Sequence, residues 1–146
     1  MKKTLLIIVP LISLLAVGLY LFPSNNTDHN FQRAMDYYDQ ENFLKAAKFI
    51  KIAALQGHIK AQNNLGTMYY EGQGVTQNFT EAANWYRKSA EQNNVDAQFN
   101  LAAMYKKGEG VDKDITQAIY WLRKAVEQGD EYAKDALEEL EPTKEE

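Results

Sequence analysis

Hydrophobic residues recur along most of the chain at the three- and four-residue spacing of an amphipathic α-helix. Ala61, Leu65 and Tyr69 are each four positions apart, and Ala82 and Trp85 are three apart. This pattern predicts a succession of helices that each bury one face.

The hydrophobic pattern is itself repeated at a constant offset. Residues 61–96 and 97–132 are identical at 16 of 36 positions. A repeat of this length predicts a solenoid in which each unit is a helix pair that buries its apolar face against its neighbours. Repeat arrays usually bind other molecules and do not catalyse reactions.

Boundary signals fall at equivalent places in the two copies. Asn78 and Asp114 each have a capping partner three residues later, so the second helix of each copy should begin at Phe79 and Ile115. Asn93, and Gly129 in the next copy, follow that helix where a left-handed residue would end it.

The loop between the two helices of each copy reads Gly-x-Gly-Val, at 72–75 and 108–111. Its glycines permit positive φ, and its valine should pack back on the helix pair. A phosphate-binding loop is the weaker interpretation, because no lysine and hydroxyl pair follows it.

Less regular units flank the two copies. Residues 31–60 lack the glycine loop and carry Arg33 at a normally apolar position, which indicates a divergent first repeat. Residues 133–141 restart the first-helix pattern and predict a capping helix, expected from Asp130 to Leu140, before a tail at 142–146.

An uncharged apolar stretch of 19 residues, 4–22, follows two N-terminal lysines. At 1.5 Å per residue it would span about 28 Å of hydrocarbon. We predict a signal anchor over residues 1–22, with a cleaved signal peptide as the alternative, and a polar linker over 23–30. Because the lysines stay on the cytoplasmic side, an uncleaved anchor would span a bacterial inner membrane and hold the domain in the periplasm. After cleavage, the domain would instead be a free periplasmic or secreted protein.

Composition narrows the possible chemistry. Cysteine is absent, which excludes disulfides and thiolate metal sites. Outside the N-terminal lysines, 14 basic and 20 acidic residues leave a net charge near −6, which argues against nucleic acid or an anionic bilayer surface as a partner of the domain.

Candidate catalytic residues are few. Ser89 falls at a small-residue packing position, while His29 lies in the linker and His58 at a turn, in no triad or metal arrangement. The carboxylates offer many pairs, none distinct from a solvated surface. We therefore predict that the chain is not an enzyme and has no catalytic, metal or cofactor site and no small-molecule substrate.

The sequence pattern of the two copies resembles the Sel1-like repeat, an α/α unit related to the tetratricopeptide repeat. In the first copy the resemblance rests on Ala61, Leu65, Gly66, Tyr69, Gly72, Gly74, Val75, Ala82, Trp85, Tyr86, Lys88, Ser89 and Ala90. The second copy departs from this pattern at Ala102 and Leu122. The predicted fold is all-α: a right-handed α/α solenoid of about three helix-pair repeats and a C-terminal capping helix, preceded by an N-terminal membrane helix.

Both tryptophans of the repeat, Trp85 and Trp121, are predicted to lie in the core. Binding residues should instead face the inner side of the first helices and differ between copies. Alignment on the tetratricopeptide pattern places nine residues there: Phe31, Met35, Tyr38, Asn63, Thr67, Tyr70, Phe99, Ala103 and Lys106. Five of the nine are aromatic or methionine, and an apolar stripe of this kind usually marks an interaction site. Alternatively, Phe31 and Phe99 only close gaps between helices.

The resemblance implies a protein-protein interaction module, an adaptor or scaffold on the outer side of a membrane, most simply in the bacterial envelope. One alternative is an immunity or inhibitor protein whose acidic domain covers the basic cleft of an envelope-acting effector. A remote alternative is a hydrolase of cell-wall or β-lactam substrates, for which a chain without cysteine offers little support. The partner's identity stays open.

Overall fold

The computed structural model describes residues 25–141, which contain seven α-helices and no strand. In chain order these are α1 (Asn25–Asp39), α2 (Phe43–Leu55), α3 (Ile59–Glu71), α4 (Phe79–Ala90), α5 (Val95–Lys107), α6 (Ile115–Val126) and α7 (Glu131–Leu140). Consecutive helices form three pairs, α1 with α2, α3 with α4 and α5 with α6, and α7 packs on α6. The predicted anchor lies outside the described residues, and within 25–141 no helix is long and apolar enough to cross a membrane.

The predicted helix boundaries of the two repeat copies are confirmed. Asn78 and Asp114 each accept a hydrogen bond from the backbone amide three residues ahead, both at 3.0 Å, and α4 and α6 begin at the next residue. Asn93 and Gly129 have φ of +64° and +88° after those helices. The predicted capping helix is α7, which follows its N-cap Asp130.

The start of α1 differs from the prediction of an irregular linker over 23–30, because residues 25–30 are helical. Asn30 is 8% exposed, and its side-chain amide donates to Asn26 Oδ1 at 3.3 Å and to Gln56 Oε1 at 3.4 Å. Two of the polar residues that suggested a linker, Asn26 and Asn30, are therefore engaged within α1 and by Gln56 after α2.

The core is rich in alanine, which lets neighbouring helices approach closely. Its tryptophans are buried as predicted, Trp85 at 7% and Trp121 at 8% exposure. Ser89 is also a core residue, since its hydroxyl is inaccessible and donates to the Ile59 carbonyl at 2.9 Å.

A buried amide layer recurs in the second and third pairs. Gln62 and Gln98 each donate to the carbonyl eight residues earlier, at 3.2 and 3.1 Å. Their Oε1 atoms accept from Gln92 at 2.6 Å and from Gln128 at 2.8 Å. Each buried amide is thus paired on both its donor and its acceptor side, as a buried polar group requires.

Glycine in each loop brings one helix pair against the next. Gly74 and Gly110 have φ of +68° and +69°, and a Cβ at either position would overlap backbone of Phe43 or Phe79, at the start of the preceding second helix. Only glycine fits such a close approach.

The two departures from the repeat pattern compensate one another. A Cβ at Gly66 would lie 2.6 Å from Cδ1 of Tyr86. At this contact the first copy therefore has a glycine, with no side chain, against a large aromatic ring. The equivalent positions of the second copy hold Ala102 and Leu122, both buried. A larger residue on one helix accompanies a smaller residue on the other.

Replacement of Gly66 by alanine should therefore destabilise the protein by about 1–2 kcal/mol, because overpacking outweighs the gain in helix propensity. Combining Gly66→Ala with Tyr86→Leu should recover stability relative to the sum of the single changes, with a coupling of at least about 1 kcal/mol. Urea unfolding of the four proteins measures this. Additive effects would show that the two positions do not compete for space.

His58 caps α3 through its imidazole. The Ala61 amide donates to Nδ1 at 3.1 Å, which requires an unprotonated Nδ1. Burial lowers the pKa of His58 below 6.5, against the opposing effect of the Asp28 carboxylate, whose Oδ1 lies 3.5 Å from Nε2. The unfolded chain therefore takes up this proton at higher pH than the folded protein does.

Because the unfolded state binds the extra proton, stability should fall as the pH drops through about 6.5, weakening a cap worth about 1 kcal/mol. His58→Asn, the residue found at the equivalent Asn94, should keep the cap and remove this part of the pH dependence. Unfolding free energies of the two proteins between pH 8 and pH 5 provide the measurement. Parallel pH profiles of the unfolding free energy in the two proteins would contradict the assignment of this pH dependence to His58.

Candidate protein-binding groove

Three consecutive clefts lie between the first helices of neighbouring units. The first cleft, between α1 and α3, has a volume of about 220 Å³; the middle cleft, between α3 and α5, about 400 Å³; and the last cleft, between α5 and α7, about 260 Å³. Thr67 lines both the first and the middle cleft, while Ala103 and Lys107 line both the middle and the last. The clefts are therefore adjacent along one face of the array, and we call this row of clefts the groove.

Seven of the nine predicted binding residues line this groove: Met35, Tyr38, Thr67, Tyr70, Phe99, Ala103 and Lys106. Tyr38 is 38% exposed, and the other six are half-buried. Their side chains thus contribute both to packing between helices and to the accessible wall.

The other two predicted residues take different places. Phe31 stacks on His58, with ring centroids 4.3 Å apart, beside a separate cleft at the turn between α2 and α3. Asn63 accepts a hydrogen bond from the Asn100 side chain at 3.3 Å. Phe31 and Phe99 each pack on the core and line a cleft, but the cleft of Phe31 lies outside this groove.

The glycine loops supply groove residues that the sequence did not indicate. Tyr38 donates its hydroxyl proton to Gln73 Oε1 at 2.9 Å, and Tyr70 donates to Glu109 Oε2 at 2.8 Å. Gln73 and Glu109 are the variable residues of the two Gly-x-Gly-Val loops. Each tyrosine is thus held by the loop of the following unit, and the variability of that loop position was the available signal.

Both groove lysines are paired. Lys106 Nζ lies 2.8 Å from Glu139 Oε2 on α7. Lys107 Nζ lies 3.4 Å from the Tyr70 hydroxyl and 3.7 Å from Glu109 Oε2, and the Tyr70 contact followed by the Glu109 charge raises the pKa of Lys107. The groove is consequently of mixed charge, with cations and carboxylates adjacent.

Tyr86 is a further wall residue of the middle cleft, reached from α4. Its hydroxyl donates to Thr67 Oγ1 at 3.1 Å, and burial raises the pKa of Tyr86 to about 12, so the phenol is neutral. Within residues 25–141 no cluster of three histidine or acidic side chains could hold a metal ion. The arrangement offers aromatic faces and neutral hydrogen-bonding groups, which suit contacts with a polypeptide.

The Sel1 repeat family model matches this chain over residues 12–40, 39–58, 59–94 and 95–130. The third and fourth matches cover the α3–α4 and α5–α6 pairs, two residues ahead of the boundaries inferred from the sequence. No curated protein matches the sequence.

Solved structures show the same fold. A Sel1 repeat protein from Oxalobacter formigenes is 34% identical, with a TM-score of 0.74 over 80% of this chain and 90% of that one. A protective antigen of uropathogenic Escherichia coli with an SLR fold is 35% identical, with a TM-score of 0.74 over 76% of this chain, which spans only 25% of the antigen. Helicobacter pylori cysteine-rich protein B, 21% identical with a TM-score of 0.62 over 77% of this chain and 95% of that one, shares the fold.

Proteins built from Sel1 repeats are generally non-catalytic scaffolds that bind other proteins. The matched segments extend over most of the sequence, and the last two helix pairs with their glycine loops fall inside the last two matches. This chain belongs to the Sel1 repeat family.

Proposed function

We propose that the groove binds an extended segment of a partner protein. The observation that carries this proposal is the row of three adjacent clefts along one face, which share Thr67, Ala103 and Lys107. Four helices about 10 Å apart give a groove roughly 30 Å long, enough for about nine residues of extended chain.

The wall chemistry fits a peptide. Tyr38, Tyr70 and Phe99 provide aromatic surface, while Asn64 and Asn100 provide side-chain amides that can pair with peptide groups. Aromatic side chains contribute large contact areas at a low cost in conformational entropy.

The paired charges favour an adaptor over an inhibitor of a basic enzyme. An inhibitor of that kind would present uncompensated negative charge, whereas two of the three carboxylates in this groove, Glu109 and Glu139, contact Lys107 and Lys106. Of the three, only Glu71 forms no ion pair within residues 25–141. We therefore assign the groove to an adaptor or scaffold that brings envelope proteins together.

Display of the groove outside a bacterial inner membrane is the second part of the proposal. It is supported by the 19 uncharged residues that follow two lysines at the start of the chain. A single-pass anchor would hold the repeat domain in the periplasm, close to the membrane.

A photocrosslinking residue at Lys106 should give discrete adducts with partner protein in living cells, because this position faces the last cleft. Ala103→Arg fills two clefts at once and should reduce those adducts at least about tenfold. The same photocrosslinker at Thr116, an exposed α6 position, is the control. Equal adducts from both positions, or adducts unaffected by Ala103→Arg, would rule out binding in the groove.

Membrane display predicts that the full-length protein cofractionates with inner membranes and resists carbonate extraction. The repeat domain should become accessible to protease once the outer membrane is permeabilised, while cytoplasmic markers stay protected. Protection of the domain until the inner membrane is lysed would place it on the opposite side. A soluble species shortened by about two kilodaltons would indicate cleavage of the anchor.

A further inference from the structure

The outer face of α2 combines exposed leucines with lysines. Leu44 and Leu55 are 77% and 66% exposed, the second and third most exposed large hydrophobic residues of the described chain. Lys48 and Lys51 are exposed between them. At 100° per residue these four side chains fall within an arc of about 60° and extend over about 16 Å of helix.

This stripe, defined as Leu44, Lys48, Lys51 and Leu55, lies opposite the buried side of α2. Helix α2 has no acidic residue, and no carboxylate within residues 25–141 forms an ion pair with either lysine. The stripe is therefore an unpaired basic and apolar surface on a domain of net negative charge.

The other two second helices do not carry such a surface. The equivalent positions are Thr80, Asn84 and Arg87 on α4 with its C-cap Glu91, and Thr116, Tyr120 and Arg123 on α6 with its C-cap Glu127. Both leucines are replaced by threonine at one end and glutamate at the other. The stripe is thus specific to the first unit and is not a requirement of the repeat.

The stripe also lies next to the point where the chain enters the described domain. The end of α2 adjoins the start of α1, as the Asn30 to Gln56 hydrogen bond of 3.4 Å and the 3.5 Å approach of His58 to Asp28 show. Two residues, 23 and 24, separate the predicted anchor from Asn25, and the three Cα–Cα steps across them span at most about 11 Å. A bilayer holding the anchor would therefore be within reach of α2.

We propose that the stripe rests on the anionic phospholipid surface of the membrane in which the predicted anchor is inserted. The leucines enter the boundary between headgroups and acyl chains, and the lysines lie beside lipid phosphates. This inference rests on the membrane display proposed above. The net negative charge of the domain argues against such a partner for its surface as a whole. Charges farther than about 10 Å from the lipid are largely screened at physiological salt, so this local basic stripe is the exception.

Because the chain has no cysteine, single-cysteine labelling can test this contact in the full-length protein. Leu44→Cys and the matched Thr80→Cys each receive an apolar fluorophore, and the protein is reconstituted in nanodiscs containing anionic lipid and a lipid-borne quencher. We expect quenching at position 44 several times stronger than at position 80. It should weaken in purely phosphatidylcholine discs and at high salt.

Charge reversal of the two lysines provides a second test of the same contact. Lys48→Glu with Lys51→Glu should weaken the contact at position 44 by at least roughly 25-fold, since each lysine near an anionic surface contributes roughly fivefold. Lys113→Glu with Lys134→Glu, an equal charge change away from α2, should leave it unchanged. Circular dichroism confirms that each variant remains helical.

The outcomes separate the two proposals. Failure of the full-length protein to enter nanodiscs would overturn both the membrane display and the α2 contact. Entry with equal quenching at positions 44 and 80 would overturn the contact alone. Quenching at position 44 that ignores lipid charge and the Lys48/Lys51 reversal would overturn recognition of anionic phospholipid. Burial of the label in detergent as well as in discs would assign the stripe to the N-terminal segment of the chain, against the proposal.

Discussion

Successive helix pairs touch backbone to backbone at one glycine of each Gly-x-Gly-Val loop, which lies against the start of the preceding second helix. Gly74 and Gly110 leave no room for a Cβ there. Backbone cannot change rotamer to accommodate a neighbour, so this contact sets the distance between units more strictly than a side-chain contact would. Gln73 and Glu109, which precede these glycines, are thereby positioned at the edge of the groove.

The amide layer imposes a second constraint, within each unit and between neighbouring units. Gln62 and Gln98 are buried and hydrogen-bonded on both sides, and Asn30 with Gln56 forms the shorter counterpart in the first pair. A buried amide without partners costs about 1–3 kcal/mol, so a helix displaced by one residue would lose the layer as well as its packing. Glycine contacts therefore set the spacing of the units, and the amides align helices both within a unit and across the junction to the preceding unit.

Features that depend on a few consecutive residues were predictable from the sequence. Asn78 and Asp114 located two helix starts because a cap and its partner are three residues apart. The start of α1 was missed because Asn30 is held partly by Gln56, 26 positions away. The contact of Tyr70 with Glu109 depends on how one unit rests on the next, which the composition of neither unit reveals. The loop residues are therefore absent from the predicted set, and so are several helical residues that line the clefts, among them Asn64, Tyr86, Asn100 and Lys107.

Each tyrosine-loop pair joins residues that belong to different units, Tyr38 with Gln73 and Tyr70 with Glu109. A gene duplication that copies one 36-residue unit would therefore copy the tyrosine of one pair and the loop residue of another. Where no loop follows, at Lys106, the partner comes from the terminal helix instead. Changes in recognition must arise across unit junctions, so neighbouring repeats of this array are constrained to diverge together.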